Sequence, residues 1–359
     1  TCHKVPAVIA GLARSTAELT DDTWTLLSDL SCQHSVSIHI IVAENPSSSR
    51  APKDCAPFLI EMQDDLLKQE LSSNRVGRIA QIRDAQRNRI QQLFFSTRTK
   101  EETNAIASQV TPPAPLNGES AVILIDLDLS ILPKAQEIMQ RAMLLSLKHG
   151  SEPDATHLIC SAGNHISKRN FEKKPFYYDT FATLFYPDTF TYPLNKRLIK
   201  EYNEGEDPGY IPIHENYLKE GDFSQFTMME LFREVAKLDQ DGLFPLRSCF
   251  GGVALYKADT WFTPQCQYTW PEEEANEYRK FSLAEQKKTI LRYASEGLTV
   301  PCEHIVFHSC LHEKVFHTNY SLSEPFPRQI AIDPYLLTQW KPTPTQFWEK
   351  KGTRWVKMK

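Results

Sequence analysis

Residues 121–132 read AVILIDLDLSIL, and this stretch decides the fold class. Ala121–Ile125 is a continuous apolar run, which predicts a strand that is buried on both faces. The run ends at Asp126-Leu127-Asp128, and the spacing of apolar residues predicts a helix over residues 135–147. A buried strand followed by a helix is the repeating unit of α/β proteins.

The amino-terminal part of the chain shows the same alternation of apolar strands and helices. Val5–Ala10 and Val36–Ala43 are apolar runs, and Thr16–Leu30 between them has helical spacing. We therefore expect an α/β fold with a mostly parallel central sheet flanked by helices. A further strand is predicted over Leu246–Tyr256, with an interruption at Gly251-Gly252.

Composition excludes several classes of protein. The 359 residues are 41% hydrophobic and 24% charged, which is ordinary for a globular chain. The net charge of −5 argues against a nucleic-acid partner. No run of about 18 apolar residues occurs, so no membrane-spanning segment is predicted. The eight cysteines contain no Cys-x-x-Cys pair, and their even number permits disulfides in a secretory compartment.

The two aspartates suggest metal chemistry. Carboxylates that follow a buried strand can hold a hard divalent cation, which would neutralise charge on a diphosphate. Two enzyme classes use such a pair: metal-dependent glycosyltransferases and haloacid-dehalogenase-like phosphatases, in which Asp126 would be the nucleophile. The phosphatase is less favoured, because the motif follows a complete β-α-β unit and Leu129 stands where that class has glycine.

An arginine-rich segment precedes this strand. Residues 57–98 are predicted to be helical, in two pieces broken near Ser72–Asn74. The second piece carries six arginines and one acidic residue, which favours either an anionic ligand or a solvated helix face paired with acids elsewhere.

Four short motifs together resemble the fungal capsule-associated α-1,3-mannosyltransferase family over residues 75–320. They are Arg78-x-x-x-x-Arg83-x-x-x-Arg87-Asn88, Tyr177–Phe181, Arg247–Ala254 and Cys302-Glu303-His304. The resemblance implies a GT-A-type nucleotide-sugar transferase fold with an inserted acceptor-side lobe. His304 stands where the family has cysteine and Phe250 where it has tryptophan, so neither the sugar nor the linkage is carried over.

The resemblance also implies an organisation and a setting. Residues 1–130 would bind the nucleotide sugar, residues 131–320 the acceptor, and residues 321–359 would form a wrapping tail, all in one continuous domain. The protein would belong to the Golgi or endoplasmic reticulum lumen as a type II membrane protein, with its anchor absent from this sequence. The expected partners are a GDP- or UDP-linked sugar and a glycan acceptor, without nucleic acid.

Candidate site residues follow from their chemistry. Asp126, Asp128 and His317 would bind Mn²⁺ or Mg²⁺, and Glu303 and Asp179 would be catalytic. Donor contacts would come from Asp126 and from polar residues on three segments, namely Glu44, Asn45, Arg78, Arg83, Arg87 and Asn88. The acceptor would contact Tyr178, Arg247, Gly251 and Gly252.

Three alternatives stay open at this stage. The chain could be the phosphatase described above, or a glycan-binding relative without activity. Glu303 could be a general base, an acceptor-positioning group, or simply an acidic residue favoured at a helix start. His304, His308 and His312 share one predicted helix face, and zinc ligation is the less favoured explanation of their spacing.

Overall fold

The computed structural model shows an α/β fold in which helices cover a mixed sheet. It describes residues 5–47, 49–52, 54–67, 75–95, 116–147, 155–165, 176–177, 182–183, 229, 232–233, 236–237, 239–268, 303–316, 328–340, 348–351 and 354–357. Within these ranges, no helix is long and apolar enough to cross a membrane.

The described residues of the amino-terminal half form four strands and three helices. In chain order they are β1 (Ala7–Ser15), α1 (Asp21–His34), β2 (Ser37–Glu44), β3 (Phe58–Met62), α2 (Gln63–Leu66), α3 (Arg75–Ile90) and β4 (Ala121–Asp126). The start of α1 is fixed by the side chain of Thr20, which accepts a hydrogen bond from the Thr23 N–H at 3.1 Å. Its end is fixed by Ser35, which adopts the left-handed conformation that terminates helices.

The remaining elements follow the Asp-x-Asp segment. They are β5 (Leu129–Ile131), α4 (Ala135–Leu147), β6 (Leu158–His165), β7 (Phe176–Tyr177), β8 (Phe244–Pro245), β9 (Val253–Lys257), α5 (Ala258–Trp261), α6 (Glu303–Leu311), β10 (Ile330–Trp340), β11 (Trp348–Lys351) and β12 (Arg354–Lys357). A 3₁₀ turn spans Thr16–Glu18, and π-helical turns span Gln91–Phe95 and His312–Phe316. The strand at 121–126 and the helix at 135–147 confirm the prediction from sequence.

The main sheet has the strand order β3-β2-β1-β4-β9-β6-β10-β5, with β7 beside β6 and β8 beside β10. Its first four strands are parallel. In contrast, β9 runs antiparallel to both neighbours, and β5, β7 and β8 are also antiparallel. The expectation of a mostly parallel sheet is therefore wrong for the second half, because an apolar run indicates burial but not direction.

The sheet is buried on both faces. Alternate residues of β4 contribute to two hydrophobic clusters: Val122 and Leu124 to one, Ile123 and Ile125 to the other. Residues of α1 and α4 belong to the cluster with Ile123, and residues of α3 and α6 belong to the cluster with Val122. Helices thus cover opposite faces of one sheet.

Three disulfides cross-link the described residues, namely Cys32–Cys55, Cys160–Cys249 and Cys266–Cys310. Cys2 and Cys302 lie outside the described residues.

Four sequence-based boundaries need correction. Residues 58–62 form a strand rather than a helix, because a short apolar run suits either and here it pairs with β2. Residues 246–252 precede β9 instead of belonging to it. The sequence also predicts a short strand from Val315 to Tyr320, but residues 315–316 continue a helical turn. Residues 330–340, assigned to a wrapping tail, form a strand inside the sheet beside β6.

Candidate functional site

A cavity of about 620 Å³ opens at the carboxyl ends of β1, β2 and β4. The strands β2 and β3 lie on one side of β1 and β4 lies on the other, so the strand order reverses between β1 and β4. Such a reversal creates the crevice in which open α/β sheets bind ligands. The lining residues are Leu12, Ala13, Arg14, Ile41, Val42, Ala43, Gln63, Arg78, Ile79, Ile82, Arg83, Asp126, Asp128 and Glu303.

Asp126 and Asp128 both line this cavity. The backbone N–H of Asp126 donates to the carbonyl of Gly252 at 2.9 Å, and that of Leu127 donates to Leu12 at 2.9 Å. The Leu127 side chain is fully buried in the core, whereas Asp128 is exposed. The chain therefore buries its apolar residue and presents the flanking carboxylates to the ligand crevice.

Arg83 is a buried cation beneath the two aspartates. Its Nη2 donates to Oδ1 of Asp126 at 2.9 Å, and only 1% of its surface is exposed. Its Nε and Nη1 have no hydrogen-bond partner among the described residues. Burial alone would lower the pKa of Arg83, but the charges of Asp126, Tyr268 and Glu303 raise it above its ordinary value. The cavity thus has a fixed positive charge in its floor.

Two more predicted arginines lie on the same helix, with different surroundings. Arg78 is exposed and lines the cavity. The guanidinium of Arg87 instead donates through Nη1 to the carbonyl of Cys266 and through Nη2 to that of Thr263. It also lies 5.5 Å from the ring centre of Phe307. Arg87 therefore stabilises the segment that follows α5, and it does not line the cavity.

Glu303 is the first residue of α6 and lines the same cavity as the strand ends. Only 7% of its surface is exposed. All nine residues of α6 are buried, and the disulfide Cys266–Cys310 ties this helix to the segment that Arg87 holds. A carboxylate at a helix start is favoured by the backbone dipole. Its position beside the Asp-x-Asp pair, however, results from long-range packing.

Other predicted donor residues lie outside the lining. Glu44 forms an exposed ion pair with Arg14 at 2.8 Å, and Asn88 is exposed on α3. Asn45 has a φ of 51°, and its carbonyl accepts a hydrogen bond from the Thr16 hydroxyl at 2.8 Å. These residues border the strand ends, but the cavity does not include them.

The predicted acceptor residues that the structure describes are buried and have structural roles. Arg247 is buried, and its carbonyl is hydrogen-bonded to His312 at 3.0 Å. Gly251 and Gly252 have φ angles of 72° and 90°, which glycine adopts readily. A Cβ at Gly251 would clash with the carbonyl of Ser161. The two glycines therefore let the backbone before β9 pack closely on β6 and position the carbonyl that Asp126 contacts.

Three predicted site residues, Tyr178, Asp179 and His317, lie outside the described residues. Among the residues described, no group of three or more His, Cys, Asp or Glu side chains is arranged to hold a metal ion. Sequence reasoning missed the apolar part of the lining, such as Leu12 and Ile41. Their position at carboxyl ends of neighbouring parallel strands is a signal that could have identified them.

Comparison with known proteins identifies no family for this chain. No protein-family model matches this chain. Among curated proteins, none matches its sequence. The function is therefore argued from the cavity itself.

Proposed function

We propose that this protein is a metal-dependent glycosyltransferase that moves a hexose from a nucleotide sugar to a hydroxyl group of a glycan. One observation carries the proposal: Asp126 and Asp128 share a cavity at the strand-order reversal with Arg78, Arg83 and Glu303. Paired carboxylates, guanidinium groups and a separate carboxylate are the groups needed for a metal-bound diphosphate and an acceptor hydroxyl.

The fold proposed for this activity is of the GT-A type. The parallel half, β3-β2-β1-β4, has the character of a nucleotide-binding half, because its strands alternate with helices and end in polar residues. The helix α6 provides Glu303, a further carboxylate in the lining of the same cavity. The mannosyltransferase-like resemblance is the reason to place mannose first among candidate sugars.

The two aspartates suit Mn²⁺ or Mg²⁺. Both are hard cations that prefer oxygen ligands, and Mg²⁺ sites commonly consist of one or two carboxylates completed by water and substrate phosphates. Asp126 and Asp128 are both on the cavity side, while Leu127 between them is buried. When bound, the cation would neutralise charge on the diphosphate leaving group.

The arginines have complementary roles in this proposal. Arg78 is exposed at the cavity and would contact phosphate oxygens directly, since a guanidinium fork matches their geometry. Arg83 is buried and would act mainly by holding Asp126 in place through its 2.9 Å hydrogen bond. Arg87 holds backbone carbonyls and is not assigned to the donor.

Glu303 would act on the acceptor. In an inverting reaction its carboxylate would take the proton from the acceptor hydroxyl as that oxygen forms a bond to the sugar anomeric carbon. At the same time the bond from this carbon to the diphosphate oxygen would break, and the nucleotide diphosphate would leave. In a retaining reaction Glu303 would position the acceptor without taking its proton.

The proposed setting is the lumen of the secretory pathway. Three disulfides among the described residues are typical of an oxidising compartment. A glycan acceptor fits both that compartment and the absence of a basic excess in the sequence.

The test is a turnover panel. GDP-, UDP- and CMP-linked sugars are incubated with the protein with and without Mn²⁺, and nucleotide release is measured for the wild type and for Asp128→Asn. Metal-dependent release of one nucleotide by the wild type alone supports the proposal and identifies the donor.

Two other results would contradict it. Release of phosphate from simple phosphomonoesters, without nucleotide release, would favour the phosphatase with Asp126 as nucleophile. Inactivity on both substrate classes, combined with retained glycan binding, would favour a relative that binds glycans without transferring them.

A further inference from the structure

His304 lies directly behind the carboxylate that lines the cavity. Its Nε2 is 3.6 Å from Oε1 of Glu303, and only 1% of its surface is exposed. His304 is not a lining residue, whereas Glu303 is. Neither ring nitrogen of His304 has a hydrogen-bond partner among the described residues. A buried imidazole with both nitrogens unpartnered is unusual, because burying an unsatisfied polar group is unfavourable.

The ring is held in a fixed position by aromatic packing. It stacks on Phe250 with ring centres 3.9 Å apart and planes inclined by 15°. Tyr268 contacts it edge-on, with ring centres 5.7 Å apart. The guanidinium of Arg83 lies 5.3 Å from the centre of the same Phe250 ring. The nitrogen that faces Glu303 is therefore constrained by its neighbours.

The ring is also neutral. Burial, the positive charge of Arg83 and the neighbouring His308 hold the pKa of His304 well below its ordinary value. A neutral imidazole carries one N–H donor and one acceptor nitrogen. Because Nε2 lies 3.6 Å from the carboxylate, the negative charge of Glu303 favours the tautomer that carries its proton on Nε2.

His308, one helical turn further along α6, shows the contrast. It is equally buried, but its Nδ1 is 2.9 Å from the Ser248 hydroxyl and its Nε2 is 2.8 Å from the Tyr256 hydroxyl. Both of its nitrogens are satisfied inside the core. This residue has a structural explanation, and it provides a matched control.

We infer that His304 is a positioning residue. Its Nε2 N–H is directed at the Glu303 carboxylate across a contact of 3.6 Å, which shortens to a hydrogen bond once the acceptor hydroxyl is bound and thereby aims the carboxylate at that hydroxyl. The inference rests on the proposed function for the role of Glu303. No proton is transferred to or from His304 in this role, since the ring only orients its neighbour. Mutation of the partners that orient metal ligands typically costs 10- to 100-fold in activity, and we expect an effect of the same size at His304.

Kinetics with three substitutions test the role. His304→Gln keeps an N–H donor near the position of Nε2, whereas His304→Asn moves the donor to the position of Nδ1 and His304→Leu removes it. We expect kcat to fall about 10- to 100-fold in the Asn and Leu variants, with donor KM unchanged, and to recover in the Gln variant. In a Glu303→Gln background, His304→Leu should cause no further loss, because the two residues act as one unit.

Nitrogen-15 NMR of the histidine rings tests the contact without any substrate. We expect the wild-type spectrum at neutral pH to show His304 protonated on Nε2, and Glu303→Ala to abolish this tautomer preference. His308→Gln is the control, which should leave the His304 signal in place. A proton on Nδ1, or a spectrum unaffected by Glu303→Ala, would overturn the inference even if a His304 variant folds poorly.

The two proposals fail in different ways. A wild-type protein that turns over no nucleotide sugar overturns the proposed function, whatever the spectrum shows. A wild-type protein that is active while His304→Leu keeps full kcat overturns this inference alone. Loss of activity in His304→Gln as large as in His304→Leu would also contradict it, since the donor would then not be the feature that matters.

Discussion

The cavity has two walls of different origin. The strand wall (residues 12–14, 41–43, 126 and 128) consists of the carboxyl ends of neighbouring parallel strands. The helix wall (Arg78, Ile79, Ile82, Arg83 and Glu303) comes from α3 and α6, which are more than 200 residues apart in sequence. The first wall is assembled from consecutive β-α-β units, and the second depends on contacts over long distances in the chain.

This difference shows which residues tolerate change. Asp128 is exposed at the end of a strand, so its replacement disturbs little packing. In the helix wall, Arg83 and Glu303 are buried, and the helices that carry them are held by Arg87 and by the disulfide Cys266–Cys310. Functional and structural roles are therefore separable at the exposed residues Asp128 and Arg78, and they are coupled at the buried residues Arg83 and Glu303 and at Asp126, which pairs with Arg83.

The largest expected effect is on the strand wall. Asp128→Asn should lower metal-dependent turnover by about four orders of magnitude, because a carboxylate ligand of the cation is lost. Its free energy of unfolding should change by less than about 0.5 kcal/mol, since the side chain is exposed. Nucleotide release and urea unfolding measure the two quantities.

Asp126→Asn is the matched variant that should affect both quantities. It removes the same kind of ligand, and it also removes the negative charge that lies 2.9 Å from the buried Arg83, although the amide oxygen can still accept the hydrogen bond. We expect the same loss of turnover together with destabilisation of about 2 kcal/mol. Equal stability of the two variants would show that the Arg83–Asp126 pair does not contribute to folding.

The helix wall should show a smaller loss of activity. Glu303→Gln is expected to lower kcat by about 10²- to 10³-fold while donor binding is retained, because general-base contributions have this size. Glu313→Gln is a control on the following turn, where the carboxylate is exposed beside Lys314. If the Glu303 variant loses donor affinity instead of kcat, Glu303 belongs to the donor site.

Two arginines of α3 are expected to have different roles, one in nucleotide binding and the other in stability. Arg87→Met removes donors to two backbone carbonyls and should destabilise the protein by about 4 kcal/mol. Arg78→Met should leave stability unchanged and weaken nucleotide affinity about tenfold, because Arg78 is exposed at the cavity. Thermal unfolding measures the stability of both variants, and nucleotide titration measures their affinity. Destabilisation by Arg78→Met together with weaker nucleotide affinity in Arg87→Met would contradict this assignment of the two arginines.

The smallest expected effect is on the pH dependence of stability, and it comes from Glu61 on β3. Burial would raise the pKa of Glu61, but hydrogen bonds from His39 and Arg89 outweigh it and lower the pKa to about 2. A lowered folded-state pKa contributes stability above the unfolded value, and this stability is lost as pH falls from about 4.5 to 2. Because solvent screens this partly exposed pair, Glu61→Gln should remove only about 1 kcal/mol at pH 7, and it should flatten the pH dependence of urea unfolding over that interval.

In the strand wall, Asp126 and Asp128 could be predicted from sequence. The apolar run before Asp126 indicates a buried strand, and polar residues after such a strand indicate a ligand edge. The same reasoning could not separate Arg83 from Arg87, since both follow the same helical pattern and differ only in what packs against them. It also did not identify β3 or the direction of β9, because neither burial pattern encodes the pairing partner.

The helix wall was predictable in part. Glu303 was selected on its place in a motif and at a helix start, but nothing in the sequence alone brings it to the cavity of Asp126. The cysteine pairing was also not readable, since eight cysteines allow many pairings and the bridges span 23 to 89 residues.

The most direct measurement is Mn²⁺-dependent nucleotide binding. Isothermal titration with GDP and UDP, with and without Mn²⁺, would compare the wild type with Asp128→Asn. The account predicts that one nucleotide diphosphate binds to the wild type only when Mn²⁺ is present, and that Asp128→Asn loses this binding while its fold is intact. Equal binding by both proteins, or no dependence on the metal, would contradict the assignment of the Asp126–Asp128 cavity as the donor site.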